Sequence, residues 1–243
     1  MGTVAVDIET ASPHEEPPDG EYDNTDYFEL VAVALGYRSD ENDPIETEVL
    51  FREGGWEPTH TADLLGRTTN WLDGREFDDV LTYNGSGFDL VHLLNWARET
   101  DDAGLSDRAL DRMRALEEKQ IDLKFPAIEH HGDLIWKNHE FPKFEKVCTA
   151  RSVPTAETKY ADYDVSDDFL RNLNRTEEVV EGWHIGTTLG EQYVAGISAG
   201  LEDTLTYREL ERLLFDYAEA DVTPLFELFD SFEESGCMRP DGR

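Results

Sequence analysis

The stretch Asp79-Val-Leu-Thr-Tyr83-Asn84-Gly-Ser-Gly-Phe88-Asp89-Leu-Val-His-Leu-Leu-Asn-Trp-Ala-Arg98 holds three kinds of local structure in succession. Residues 79–83 are short, apolar and partly β-branched, and read as a strand. Asn84 to Gly87 are turn formers. Residues 88–98 place Leu, Val and Trp at helical spacing and read as an amphipathic helix. A strand that passes through a tight turn directly into a helix is the building unit of an α/β sheet.

Working outward, the N-terminal side holds three more strand candidates. Residues 3–9 alternate Val4, Val6 and Ile8 against Asp7 and Glu9, and residues 30–37 (LVAVALGY) are almost wholly apolar. Residues 45–51 alternate again after the turn-like Asn42-Asp43-Pro44. Short links make these three an antiparallel meander. Residues 11–27, rich in Pro, Asp, Glu and Gly, read as a loop beside the first strand and a candidate cover for it. Residues 61–72 and 107–119 read as helices, and Ile121-Asp122-Leu123 as a short fifth strand. Residues 124–175 are harder, with Pro126, Pro142 and Pro154 among scattered aromatics and a helix expected near 144–151. The final third is helical. Thr206 and Glu209 have capping-box spacing, and residues 223–233 either continue that helix or form the next one. The expectation is an α/β domain spanning residues 1–243, with a mixed sheet in which three antiparallel strands are extended by parallel ones, flanked by helices.

Charge dominates the composition. The chain carries 55 acids against 21 basic residues, a formal net charge of −34, and the acids are spread along its whole length. In dilute salt such a chain repels itself and any phosphate backbone, whereas at molar salt the Debye length falls to about 3 Å and both effects shrink. The pattern is that expected of a cytoplasmic protein from a halophilic archaeon. No run approaches the roughly 20 apolar residues of a membrane span, so no membrane partner is expected. Met1 to Asp7 has no basic region of a signal peptide, which points to a cytoplasmic location. Cys148 and Cys237 are far apart and form no metal motif.

Asp7 and Glu9, two apart on a strand, leave the same face, and hard divalent cations favour such paired carboxylates. The pair alone is weak evidence, because Asp19 and Glu21 share its spacing. Asn84-x-x-x-Phe88-Asp89 occurs once in the chain and puts Asp89 in the first turn of a helix, just past the end of a strand, where α/β sheets place their sites. Tyr217 and Asp221, i and i+4 on the late helix, share a face.

Taken together, Val4-Ala-Val-Asp7-Ile-Glu9-Thr10, Tyr83-Asn84-Gly-Ser-Gly-Phe88-Asp89-Leu90 and Tyr217-Ala-Glu-Ala-Asp221-Val222 resemble, in order, the motifs of the DEDD exonucleases, which have an RNase H-like fold. The Asp-Ile-Glu-Thr form is similar to that of the exonuclease domains of family B DNA polymerases, and tyrosine in the third motif marks the DEDDy branch. The resemblance implies a 3′–5′ exonuclease acting on the 3′ end of a single-stranded nucleic acid, DNA by preference. It implies two divalent cations, Mg²⁺ or Mn²⁺, held by Asp7, Glu9, Asp89 and Asp221, with Tyr217 orienting the attacking water and Thr10, Asn84 and Phe88 holding the substrate. A polymerase or a repair factor is the protein partner it implies. The rivals are an exoribonuclease of the same fold and a non-catalytic module that binds nucleic acid or a polymerase. Residues 124–200 carry no part of the resemblance. There, Trp136 and Phe141 near Lys137 and Lys143 are either a packed loop, the favoured reading, or a stacking platform for single strands. The tryptophans are expected mostly in the core.

Overall fold

The computed structural model describes residues 2–137, 139–165 and 178–238. Five strands form one sheet in the order β3-β2-β1-β4-β5. They are β1 (Thr3–Ala11), β2 (Glu29–Arg38), β3 (Glu46–Phe51), β4 (Asp79–Thr82) and β5 (Gln120–Asp122). β1 pairs antiparallel with β2, β2 antiparallel with β3, and β4 runs parallel to both β1 and β5. The expected α/β architecture, a mixed sheet flanked by helices as in RNase H-like folds, is what the chain adopts.

Each face of the sheet is covered by helices with a matching apolar stripe. On one face, Val4, Val6 and Ile8 of β1 pack against α1 (Pro58–Asp73), α2 (Asp89–Asp102) and α3 (Ala109–Glu118). In α2 the buried Leu90, Leu93, Trp96 and Ala97 follow the helical period. The opposite face carries Ala5, Ala32, Ala34 and Leu81, small enough for a helix to lie close. That helix is α7 (Leu205–Glu234), flanked by α4 (Lys124–His131) and α5 (Phe144–Arg151). A third cluster joins Ala11 and Val31 to the first half of α7 and to α6 (Gly190–Ser198), which follows a turn at Gly182–His184 and a π-helical segment at Ile185–Leu189.

Of the two readings left open for residues 223–233, the continuous one holds: α7 is one helix, and Pro224 lies buried inside it, where packing offsets the lost backbone hydrogen bond. Other expectations are corrected. The cap of α7 is Thr204, whose hydroxyl accepts from the Tyr207 N–H at 3.3 Å, two residues before the expected capping box. Helix α4 was not expected, whereas α6 and α7 bear out the helical reading of the final third. The loop after β1 does not cover the site. It is tied to α2 instead: the His92 ring bonds the Thr25 hydroxyl at 2.8 Å and the Tyr22 carbonyl at 3.0 Å. Trp136 and Trp183 are 65% and 56% exposed, so the core does not take all the tryptophans. Arg52, by contrast, is fully buried. It donates to the carbonyls of Leu30, Gly55 and Glu57 and to the Thr61 hydroxyl, with Glu29 at 3.6 Å.

Candidate active site

β1 and β4 pair only from Thr3 to Ala5 of β1, so the second half of β1 runs on past the end of β4. The opening between them is the crevice in which α/β sheets place ligands. Asp7 and Glu9 lie on this free half of the central strand, facing α7. A half-exposed edge strand bearing solvated acids is therefore excluded, because Glu9 is only 6% exposed. The register slips between Glu9 and Thr10, leaving Val31 of β2 as the extra residue. Such bulges cluster beside sites because they re-aim the strand.

A cavity of about 300 Å³ fills the opening, lined by Asp7, Ile8, Glu9, Thr10, Tyr83, Asn84, Phe88, Asp89, Gly182, Tyr217 and Asp221. All eight residues singled out from the sequence line it. Ligand oxygens of Asp7, Glu9 and Asp221 lie within 4.8 Å of one another. Asp89 lines the same cavity but stands outside that trio. It is the first residue of α2, where a carboxylate suits the positive end of the helix.

Four carboxylates in one buried cavity are electrostatically frustrated. Burial raises the pKa of Asp7 well above the usual range, with Asp89, Asp221 and Glu9 adding to the shift. Glu9 is raised by burial and then by Asp221 and Asp89. Burial lifts Asp89 to about 7, against its backbone hydrogen bonds, and lifts Asp221 to about 7 with help from Glu145. One Glu9 oxygen, Oε1, is buried without a hydrogen-bond partner. A buried acceptor costs roughly 1–3 kcal/mol when unsatisfied, and a cation among the three clustered carboxylates would remove both the orphan and the repulsion. The donor set therefore fits a hard divalent cation. The Tyr217 phenol is pushed far above its ordinary pKa by burial and by Asp221, Glu9 and Asp7, so it stays protonated.

Sequence reasoning missed the residues that shape the turn. The Asp122 carboxylate, at the end of β5, accepts from the N–H groups of Asn84 (2.8 Å), Ser86 (3.0 Å) and Lys124 (3.1 Å) and from the Ser86 hydroxyl (2.6 Å). It thereby fixes Asn84 in the left-handed region, at φ 72°. Lys124 Nζ donates to the Asn84 side-chain oxygen at 2.8 Å. The available signal was an acid ending a short apolar strand. Gly182 is a close approach, since a Cβ there would lie 3.3 Å from the Tyr217 hydroxyl.

No protein-family model and no curated protein matches the chain. Among solved structures it is similar to the family B DNA polymerase from the hyperthermophilic archaeon Pyrobaculum calidifontis, with 15% identity and a TM-score of 0.53 over 96% of this chain and 24% of the polymerase. This chain thus spans about a quarter of the polymerase's length, and the likeness is one of fold. E. coli Exonuclease I, solved in complex with a 5cy-dT13 oligonucleotide, gives 12% identity and a TM-score of 0.33 over 88% of this chain and 42% of that one. Fold and cavity together define a class: an RNase H-like α/β chain with a carboxylate site at the sheet's parallel crevice.

Proposed function

We propose that this chain is a DEDDy-type 3′–5′ exonuclease that removes nucleotides from single-stranded nucleic acid, DNA by preference. The observation that carries the reading is the convergence of Asp7, Glu9, Asp89 and Asp221 on one cavity, with a Glu9 oxygen left unpartnered. Asp7, Glu9 and Asp221, with Asp89 one step back, would hold two divalent cations, Mg²⁺ or Mn²⁺. When bound, such ions supply charge compensation at the scissile phosphate and acidify the attacking water. The chain's own groups do the positioning. Tyr217, protonated and on the same helix face as Asp221, offers a hydrogen bond that orients the water. Phe88 gives an apolar wall for the terminal base. Asn84, its oxygen engaged by Lys124, presents its amide nitrogen to the substrate. Thr10 closes the wall beside Glu9.

The test is degradation of 5′-labelled single-stranded DNA and RNA at high KCl, with Mn²⁺, Mg²⁺ or EDTA. A ladder shortening from the 3′ end, dependent on metal and abolished in folded Asp7→Ala and Asp221→Ala proteins, is the expected result. Full activity of Asp7→Ala would end the assignment. Preferred cleavage of RNA would move the reading to an exoribonuclease.

A further inference from the structure

Four of the chain's six lysines, Lys124, Lys137, Lys143 and Lys146, fall between positions 124 and 146. Four acids share that span, so it is charge-balanced inside a chain of net charge −34. Lys124 is committed to Asp122 and Asn84. Lys137, Lys143 and Lys146 are exposed and make no ion pair among the described residues. These three cations gather around an aromatic surface, a local concentration of unpaired positive charge in a chain of net charge −34. Trp136 is 65% exposed, with Lys137 Nζ 4.2 Å from its ring centroid. Beside it lies a cavity of about 530 Å³ walled by Trp136, Phe141, Lys143 and Lys146.

This surface adjoins the carboxylate cavity through one aromatic layer. Phe141 meets Tyr83 edge-on at 6.2 Å between centroids, and the Tyr83 hydroxyl donates to the Pro142 carbonyl at 2.5 Å. Tyr83 is itself a wall of the carboxylate cavity. Phe141 therefore stands one side chain away from the carboxylate cavity, and it shares the second cavity with Trp136.

We propose that Trp136, Phe141, Lys143 and Lys146 form the landing surface for the single strand that leads into the carboxylate cavity, an inference that rests on the exonuclease reading of that cavity. Bases stack on the two rings, a sequence-tolerant contact. Lys143 and Lys146 face the phosphates, whose approach the rest of the protein opposes.

The test measures binding apart from cleavage. Fluorescence anisotropy in EDTA follows a labelled oligothymidylate, and in parallel an oligouridylate, of about 16 nucleotides. Trp136→Ala weakens binding roughly tenfold, as loss of one stacked base does. Lys143→Gln with Lys146→Gln flattens the slope of log Kd against log KCl by about 1.4, near 0.7 for each phosphate left without its cation. A control of equal charge change, Arg114→Gln with Arg208→Gln, leaves the slope as it is. In the cleavage assay Trp136→Ala raises KM for the oligomer more than it lowers kcat. These losses in either sugar series support the surface, even if the protein cleaves nothing, in which case only the exonuclease reading falls. No binding by the parent protein, unchanged affinity and slope in the variants, or an equal loss of slope in the control overturns it, even if the oligomer is still degraded.

Discussion

Glu9 is a buried acid with an unpartnered oxygen, surrounded by three other acids. Without a cation this arrangement costs stability, so an isosteric Glu9→Gln protein in EDTA is expected to be more stable than the parent. A gain of about 1 kcal/mol corresponds to roughly 2–4 °C for a chain of this size. Adding Mn²⁺ should then raise the melting temperature of the parent and not that of the variant. A variant that melts lower than the parent in EDTA would show that the carboxylates are not frustrated. Tyr217→Phe removes only a hydroxyl, so calorimetry should find cation binding retained while cleavage slows by about 10²-fold, the low end of the loss when a positioned proton-handling group is removed. His92 gives a pH prediction away from the site. Burial lowers its pKa below the ordinary 6.5, against the Tyr22 carbonyl and Asp23. The carbonyl requires the proton on Nε2, which leaves Nδ1 to accept from Thr25. The unfolded chain binds the proton more readily, so His92 contributes full stability above about pH 6.5 and loses it as pH falls towards its lower folded value. Thermal melts at pH 7.5 and 5.5 should diverge less in His92→Gln than in the parent.

Among the elements, the turn between β4 and α2 depends most on a distant residue. Asp122→Ala would strip four donors of their acceptor at once, an expected loss of about 2–4 kcal/mol measured by denaturant unfolding. Asp122→Asn, which keeps acceptor oxygen, should recover part of both stability and cleavage. Equal stability of the two variants would mean that the turn holds itself. That dependence marks the boundary of what the sequence discloses. All five strands and the helices α1 to α3, α5 and α7 were legible, because alternation and the 3.6-residue period are local signals; the residues that line the cavity were picked out by motif spacing and by the resemblance those motifs carry. The Asp122 contact to Asn84 joins the end of β5 to the turn after β4, 38 residues away, and no window of sequence contains it. The same holds for Arg52, whose burial depends on carbonyls from β2 and the approach to α1 converging on it. Arg52→Met is expected to cost about 3 kcal/mol, since it leaves those carbonyls and Glu29 unpaired. Helix α4 was hidden by Pro126, which sits in its first turn, where a missing N–H is tolerated.

For the molecule as a whole, charge sets the working conditions. With 55 acids spread over the chain, self-repulsion is relieved only when the Debye length shrinks. Raising KCl from about 0.1 to 2 M is expected to add about 2 kcal/mol, roughly 4–8 °C in melting temperature. A melting temperature that does not move with KCl would show that repulsion does not limit the fold. No helix among the described residues is long and apolar enough to cross a membrane. The order of the parts along the chain matters as well. Asp7 and Glu9 belong to the first strand, whereas Tyr217 and Asp221 ride on α7, the last helix, which covers the sheet face beneath them. During synthesis the first two carboxylates therefore leave the ribosome long before the residues that complete their site. A nascent chain can form its meander and still have no enclosed cavity, so the carboxylate pocket closes only when the final helix docks. Whatever chemistry the pocket performs thus waits for an almost finished chain.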